Sequence, residues 1–190
     1  MSAVAARAQQ TQTGRVVDQG LAALNALDAR RAARELAACC ASSRWVAALT
    51  AGRPFGTVAE LYSAAAVVLT MMDWPDVLEA LAAHPRIGSP ATGTGLEAAW
   101  SRLEQAGAHG APVSTAEALA VANAAYEAKF GFVFLIRAAG RSADEMLASA
   151  LDRLDHDEST EQPVVRAELA QIVRLRLDRM LDGLRQKADA

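Results

Sequence analysis

Aromatic residues make up only 5% of this 190-residue chain, which has two cysteines, three histidines and six prolines. The cysteines are adjacent, Cys39 and Cys40, so they form neither a disulfide framework nor, with no second pair, a zinc site. Lys and Arg total 19 against 22 Asp and Glu, a net charge of −3. No basic surplus exists to neutralise phosphates, which argues against nucleic-acid binding. A membrane span needs about 20 consecutive apolar residues. The most apolar window, "LYSAAAVVLTMM", is short and runs into Asp73, so no membrane span is expected. The N-terminus has no long apolar stretch of the signal-peptide kind, and Ala188-Asp189-Ala190 matches no targeting tripeptide. These absences point to a cytoplasmic protein with unpaired thiols that pack as small apolar groups.

What is abundant is alanine and leucine, within a hydrophobic content of 52%. Alanine loses no side-chain entropy in a helix, and β-branched runs are few, so the expectation is an all-α, single compact multi-helix domain with no β-sheet. Residues 1–19 are small, polar and aperiodic and read as a flexible tail, 20–184 as the helical domain, and 185–190 as a C-terminal tail. Four S/T-x-x-E boxes mark helix starts, at Thr57/Glu60, Thr94/Glu97, Ser114/Glu117 and Ser142/Glu145. The last helix is expected from about Glu161 to Leu184, with Leu169, Ile172, Val173, Leu177, Met180, Leu181 and Leu184 at helical spacing. "FGFVFLI" at 130–136 has no second strand to pair with, so it reads as a buried helical or irregular segment threading the core.

Three places stand out chemically. His84, in "HPRIG", falls where a helix must stop, because Pro85 disfavours helical backbone before it. The partial negative charge of a helix C-terminus favours imidazolium, so this histidine is expected to be held rigidly and to titrate near neutral pH. Ser101, Glu104 and Gln105 share one helical face, while Leu96, Trp100 and Leu103 share another. That polar stripe is either a solvated face or the wall of a polar pocket. Arg141, beside the Ser142 cap, adds a guanidinium to the positive end of a helix and makes a candidate anion site. No metal cluster, dinucleotide fingerprint, phosphate loop or serine elbow is present. An enzyme built this way works with a histidine, a carboxylate and an arginine, without metal or cofactor. A non-catalytic helical binding or regulatory domain is the competing reading.

"LAAHPRIG", "SRLEQAG" and "NAAYEAKFGFVFLIRAAGRS", in that order and spacing, resemble the OHCU decarboxylase family. OHCU is 2-oxo-4-hydroxy-4-carboxy-5-ureidoimidazoline, and the family performs the last step from urate to (S)-allantoin. The similarity covers about residues 20 to 182, including "EQPVVRAELAQIVRLRLDRML" as the final helix. The resemblance implies His84 and Glu104 as catalytic residues. It implies Pro85, Ser101, Gln105, Arg141 and the stretch Phe132, Val133, Phe134, Leu135 and Ile136 as substrate-binding, the last through its backbone. It also implies an all-α fold, a homodimer and no cofactor, with OHCU as the small-molecule partner. Arg86 is expected to pair structurally rather than to touch substrate.

Overall fold

The computed structural model describes residues 18–88, 95–108 and 112–188. Among them there are nine helices and no strand: α1 (Gln19–Ala26), α2 (Ala29–Cys39), α3 (Ser43–Ala51), α4 (Val58–Met71), α5 (Trp74–Ala82), α6 (Leu96–Glu104), α7 (Val113–Phe130), α8 (Ala143–Arg153) and α9 (Glu158–Ala188). None is long and apolar enough to cross a membrane.

Helix starts follow side-chain chemistry, though not always at the expected box. Ser142 and Glu145 form the full reciprocal box that opens α8, and the Thr57 hydroxyl accepts from the Glu60 N–H at 3.1 Å to open α4. The other two boxes are not the caps. The N-cap of α7 is Pro112, which leaves Ser114 inside the first turn, and that of α6 is Gly95, with no side-chain cap. Thr94 itself lies outside the described residues. At the far end α9 begins at Glu158 rather than Glu161, and it continues through Ala188. Residues 185–188 are therefore helix rather than tail, and Arg185 reaches Asp18 across 3.3 Å. Of the 1–19 segment only residues 18 and 19 are described, as the cap and first residue of α1.

Two apolar clusters form the interior. The larger joins α1 to α5 with α9 around Trp45, Leu61, Leu81, Leu169 and Leu177. The smaller joins α7 and α8 around Leu119, Tyr126 and Met146, and includes Ile87. The segment 132–136 passes between them with the alternation of an extended chain. Leu135 joins the larger cluster and Phe134 and Ile136 the smaller. The expected irregular segment is what the structure contains. Lacking a neighbouring strand, it is tied by side chains. Arg153 donates to the Leu135 carbonyl at 2.8 Å, and the Arg137 N–H donates to Glu168 at 2.7 Å. Arg153 is itself held by buried Glu161, at 2.9 Å from its Nε, and Glu161 also takes Tyr126 and, at 2.8 Å, His156. Cys39 and Cys40 are buried unpaired thiols whose pKa values burial pushes up, Cys40 to about 11.

Gly107, just past the end of α6, packs against the backbone that leads into α8. A β-carbon there would lie 2.1 Å from the Arg141 carbonyl oxygen, which is backbone and has little room to yield. Gly107→Ala is expected to destabilise the domain by about 1–3 kcal/mol, the usual cost of overpacking. An unchanged urea midpoint would contradict that close approach.

Candidate active site

Helix α5 is set by Asp73 and Asp76, which form a reciprocal capping box, and by Pro75 in its first turn. It stops where proline chemistry requires. The His84 N–H still donates to Leu81 at 2.9 Å, and Pro85 has no N–H to continue the ladder. The chain then turns through Gly88, at φ +81°, and is fastened on three sides. Arg86 grips Glu127 with two 2.6 Å bonds, Asn123 donates to the Ile87 carbonyl at 2.8 Å, and the Gln105 side chain accepts from the Gly88 N–H at 3.0 Å. The structural role expected of Arg86 is thus observed. Residues 89–94, the remainder of the glycine-rich run, lie outside the described residues, as does His109.

Helix α6 is inverted relative to an ordinary surface helix. Ser101, Glu104 and Gln105 are buried, at 3%, 7% and 5% exposure, while Leu96 and Leu103 are 48% and 65% exposed. Three polar side chains facing inward in place of two leucines is costly unless they are paired, and two of them are paired to Arg176. Arg176, on α9, is 1% exposed. Its Nε and Nη2 meet the two oxygens of Glu104 at 3.1 and 3.0 Å, and Nη2 also donates to the Ser101 hydroxyl at 3.0 Å. Arg179 adds a second cation to Glu104 at 2.9 Å. Because the Ser101 oxygen accepts from Arg176, its own O–H is free to donate elsewhere.

Above this buried pair a cavity of about 120 Å³ lies between the end of α5 and α6, lined by His84, Pro85, Glu97, Ala98 and Ser101 with Ala82 and Ala83. The surrounding protein desolvates His84, and the Arg176 guanidinium repels a second positive charge, so its pKa is pushed down to about 3. The expectation of an imidazole titrating near neutrality is therefore corrected. The helix-end dipole is weaker than desolvation and a neighbouring guanidinium together. Glu104, which the resemblance implies as the second catalytic residue, has both oxygens committed to Arg176 and Arg179, and no bond joins it to the histidine among the described residues.

The other expected residues divide. His84, Pro85 and Ser101 line one cavity, with Glu104 one turn further along α6 and Gln105 anchoring the loop. Phe132 and Val133 line an adjoining cavity of about 370 Å³, against Leu78, Leu81 and Ala82 of α5. The side chains of Phe134, Leu135 and Ile136 point into the core. Arg141 stands apart from both cavities, 3.6 Å from Glu168. Arg176 and Asn123 were not singled out in the sequence, and Glu97 was read only as part of a capping box. A signal existed for the first two, since Arg176 interrupts the apolar stripe of α9 between Val173 and Met180, and Asn123 that of α7 between Leu119 and Tyr126.

An all-α domain in which a histidine lines a small polar cavity beside a buried Arg–Glu pair is the framework of a small helical enzyme. The chain belongs to the OHCU decarboxylase family, whose sequence model matches residues 25–178. It is 33% identical over 138 residues to the 2-oxo-4-hydroxy-4-carboxy-5-ureidoimidazoline decarboxylase of Haloferax volcanii, covering 71% of this chain and 80% of that protein. It is 32% identical over 146 residues to the uric acid degradation bifunctional protein TTL of Arabidopsis thaliana, covering 75% of this chain but 45% of the length of that relative. A crystal structure of OHCU decarboxylase in the presence of (S)-allantoin superimposes with a TM-score of 0.69 at 27% identity, over 78% of this chain and 98% of the other.

Proposed function

We propose that this protein decarboxylates OHCU to (S)-allantoin, the closing step of urate oxidation. The observation that carries the reading is the cavity in which a neutral His84 and the Ser101 hydroxyl face one space, backed by the Arg176–Glu104 pair. In OHCU the departing carboxylate sits on a ring carbon that also bears a hydroxyl. The neighbouring carbon carries the ureido group and is doubly bonded to nitrogen. Electrons released with carbon dioxide flow toward that C=N, so the substrate contains its own electron sink. What remains for the protein is proton traffic and orientation. His84 takes the hydroxyl proton as the carbonyl forms and returns a proton to the ureido-bearing carbon on one face. Ser101 and Pro85 fix the ring. Gln105 acts through the loop it holds, and Glu104 through Arg176, whose charge it sets in place. The backbone of residues 132–136 adds the wall on the α5 side. We take the active species to be a homodimer working in the cytoplasm.

The test is freshly generated OHCU followed by circular dichroism. Faster appearance of optically active allantoin than in buffer is expected. No acceleration would return the chain to the reading of a helical binding domain. In the same assay Arg141→Ala is expected to leave KM and kcat close to those of the wild type, because Arg141 stands apart from both cavities and lies against Glu168. A several-fold rise in KM would make Arg141 the anchor of the charged or ureido end.

A further inference from the structure

We propose that Glu97 is the acid of this cavity, supplying the proton consumed as the carboxylate leaves, with His84 as the base. The inference rests on the decarboxylase reading above and adds a residue to it. In the sequence Glu97 looks like the closing glutamate of a capping box with Thr94, yet the α6 N-cap is Gly95 and no side chain among the described residues caps the helix. Glu97 lines the cavity that His84, Pro85 and Ser101 also line. Its Oε1 is buried with no hydrogen-bond partner among the described residues, and the nearest cation, Arg176 Nη1, is 3.8 Å away, beyond bonding distance. A desolvated carboxyl oxygen left unpaired is costly, and a cavity is where a ligand group satisfies it. The neighbouring carboxylate, Glu104, has no such freedom, being held by Arg176 and Arg179.

Two charged groups act on Glu97, Arg176 from α9 and Glu104 on its own helix, and His84 lines the same cavity. Desolvation raises its pKa, Arg176 opposes that and Glu104 adds to it, and the balance is upward. His84 moves the other way. Two titratable groups sharing one space and driven apart define an acid and a base. The step balances. The bond to the carboxylate breaks and its electron pair joins the two ring carbons. The C=N pair moves to nitrogen, which takes the Glu97 proton as carbon dioxide departs. His84 then removes the enol proton and delivers it to the ureido-bearing carbon, and Glu97 regains its proton from water. One solvent proton is consumed for each carbon dioxide released.

Glu97→Gln keeps the shape and cannot give the proton. It is expected to lower kcat by about 100-fold or more, the usual worth of a positioned proton donor. Binding of (S)-allantoin, read by calorimetry, is expected to stay within about threefold, and Glu97→Asp to recover part of the rate. Infrared titration is expected to show a wild-type carboxyl that keeps its proton to higher pH than an ordinary glutamate, a signal missing from Glu97→Gln. A Gln variant with normal kcat and raised KM makes Glu97 a contact residue and overturns the assignment, as does a carboxyl that titrates at or below its ordinary value. Acceleration by the wild type with an equally fast Gln variant removes the acid alone. A wild type that gives no acceleration removes the decarboxylase reading itself and the acid with it.

Discussion

His84→Asn is expected to abolish the acceleration of OHCU decarboxylation while leaving the fold unchanged. Asparagine is smaller than histidine but keeps a hydrogen-bonding side chain at the cavity wall, and its amide has no basic nitrogen. A positioned base contributes about 100- to 10,000-fold, so the loss falls in that range. The fold is expected to survive because the loop is held by Arg86, Asn123 and Gln105 rather than by the imidazole. Thermal melting followed by circular dichroism checks that half of the expectation. The pH profile checks the other. With its pKa near 3, His84 is in its base form throughout the range where proteins of this kind are handled, and protonation removes the base only as pH falls toward that value. No His84 limb near pH 6.5 is therefore expected in kcat/KM. A limb there that disappears in the Asn variant would mean that imidazolium is the working form, and near-normal turnover by the variant would end the base assignment.

How far the sequence already contained this site is seen residue by residue. The stop at Pro85, the cap at Ser142 and the lone extended segment at 132–136 follow from local rules, since proline, hydroxyl and unpaired-strand chemistry act over a few residues. The stripe of Ser101, Glu104 and Gln105 was equally visible, but helical spacing defines faces without saying which one turns inward. That choice is made by Arg176, 72 residues beyond Glu104 in the chain, and long-range pairs of this kind leave only a faint local trace. The expected charge state of His84 failed for the same reason. The helix dipole is local and readable, whereas desolvation and the guanidinium come from packing. Glu97 shows the opposite error, in which a capping-box pattern in the sequence concealed a side chain that lines the cavity.

Arg176→Met is expected to destabilise the domain by about 3 kcal/mol or more, the cost of leaving a buried charge without its partner. Methionine fills much of the arginine's volume, so the loss reports charge rather than a void. Glu104, 7% exposed, keeps only the Arg179 contact at 2.9 Å after the change, and Ser101 loses its donor. The companion variant is more informative. Arg176→Met with Glu104→Leu replaces both charges by apolar groups of similar size. Buried ion pairs substituted whole in this way often come out neutral or stabilising, because both desolvation penalties vanish together. The double variant is accordingly expected to regain most of the urea midpoint lost by the single one, a strongly non-additive pair as befits direct contact. It is also expected to be inactive, since the field at His84 and the orientation of Ser101 both depend on the guanidinium. A folded, stable and inactive double variant would show that the pair is kept for chemistry. A single variant as stable as the wild type, or a double variant no better than the single, would mean that α6 is inverted for another reason.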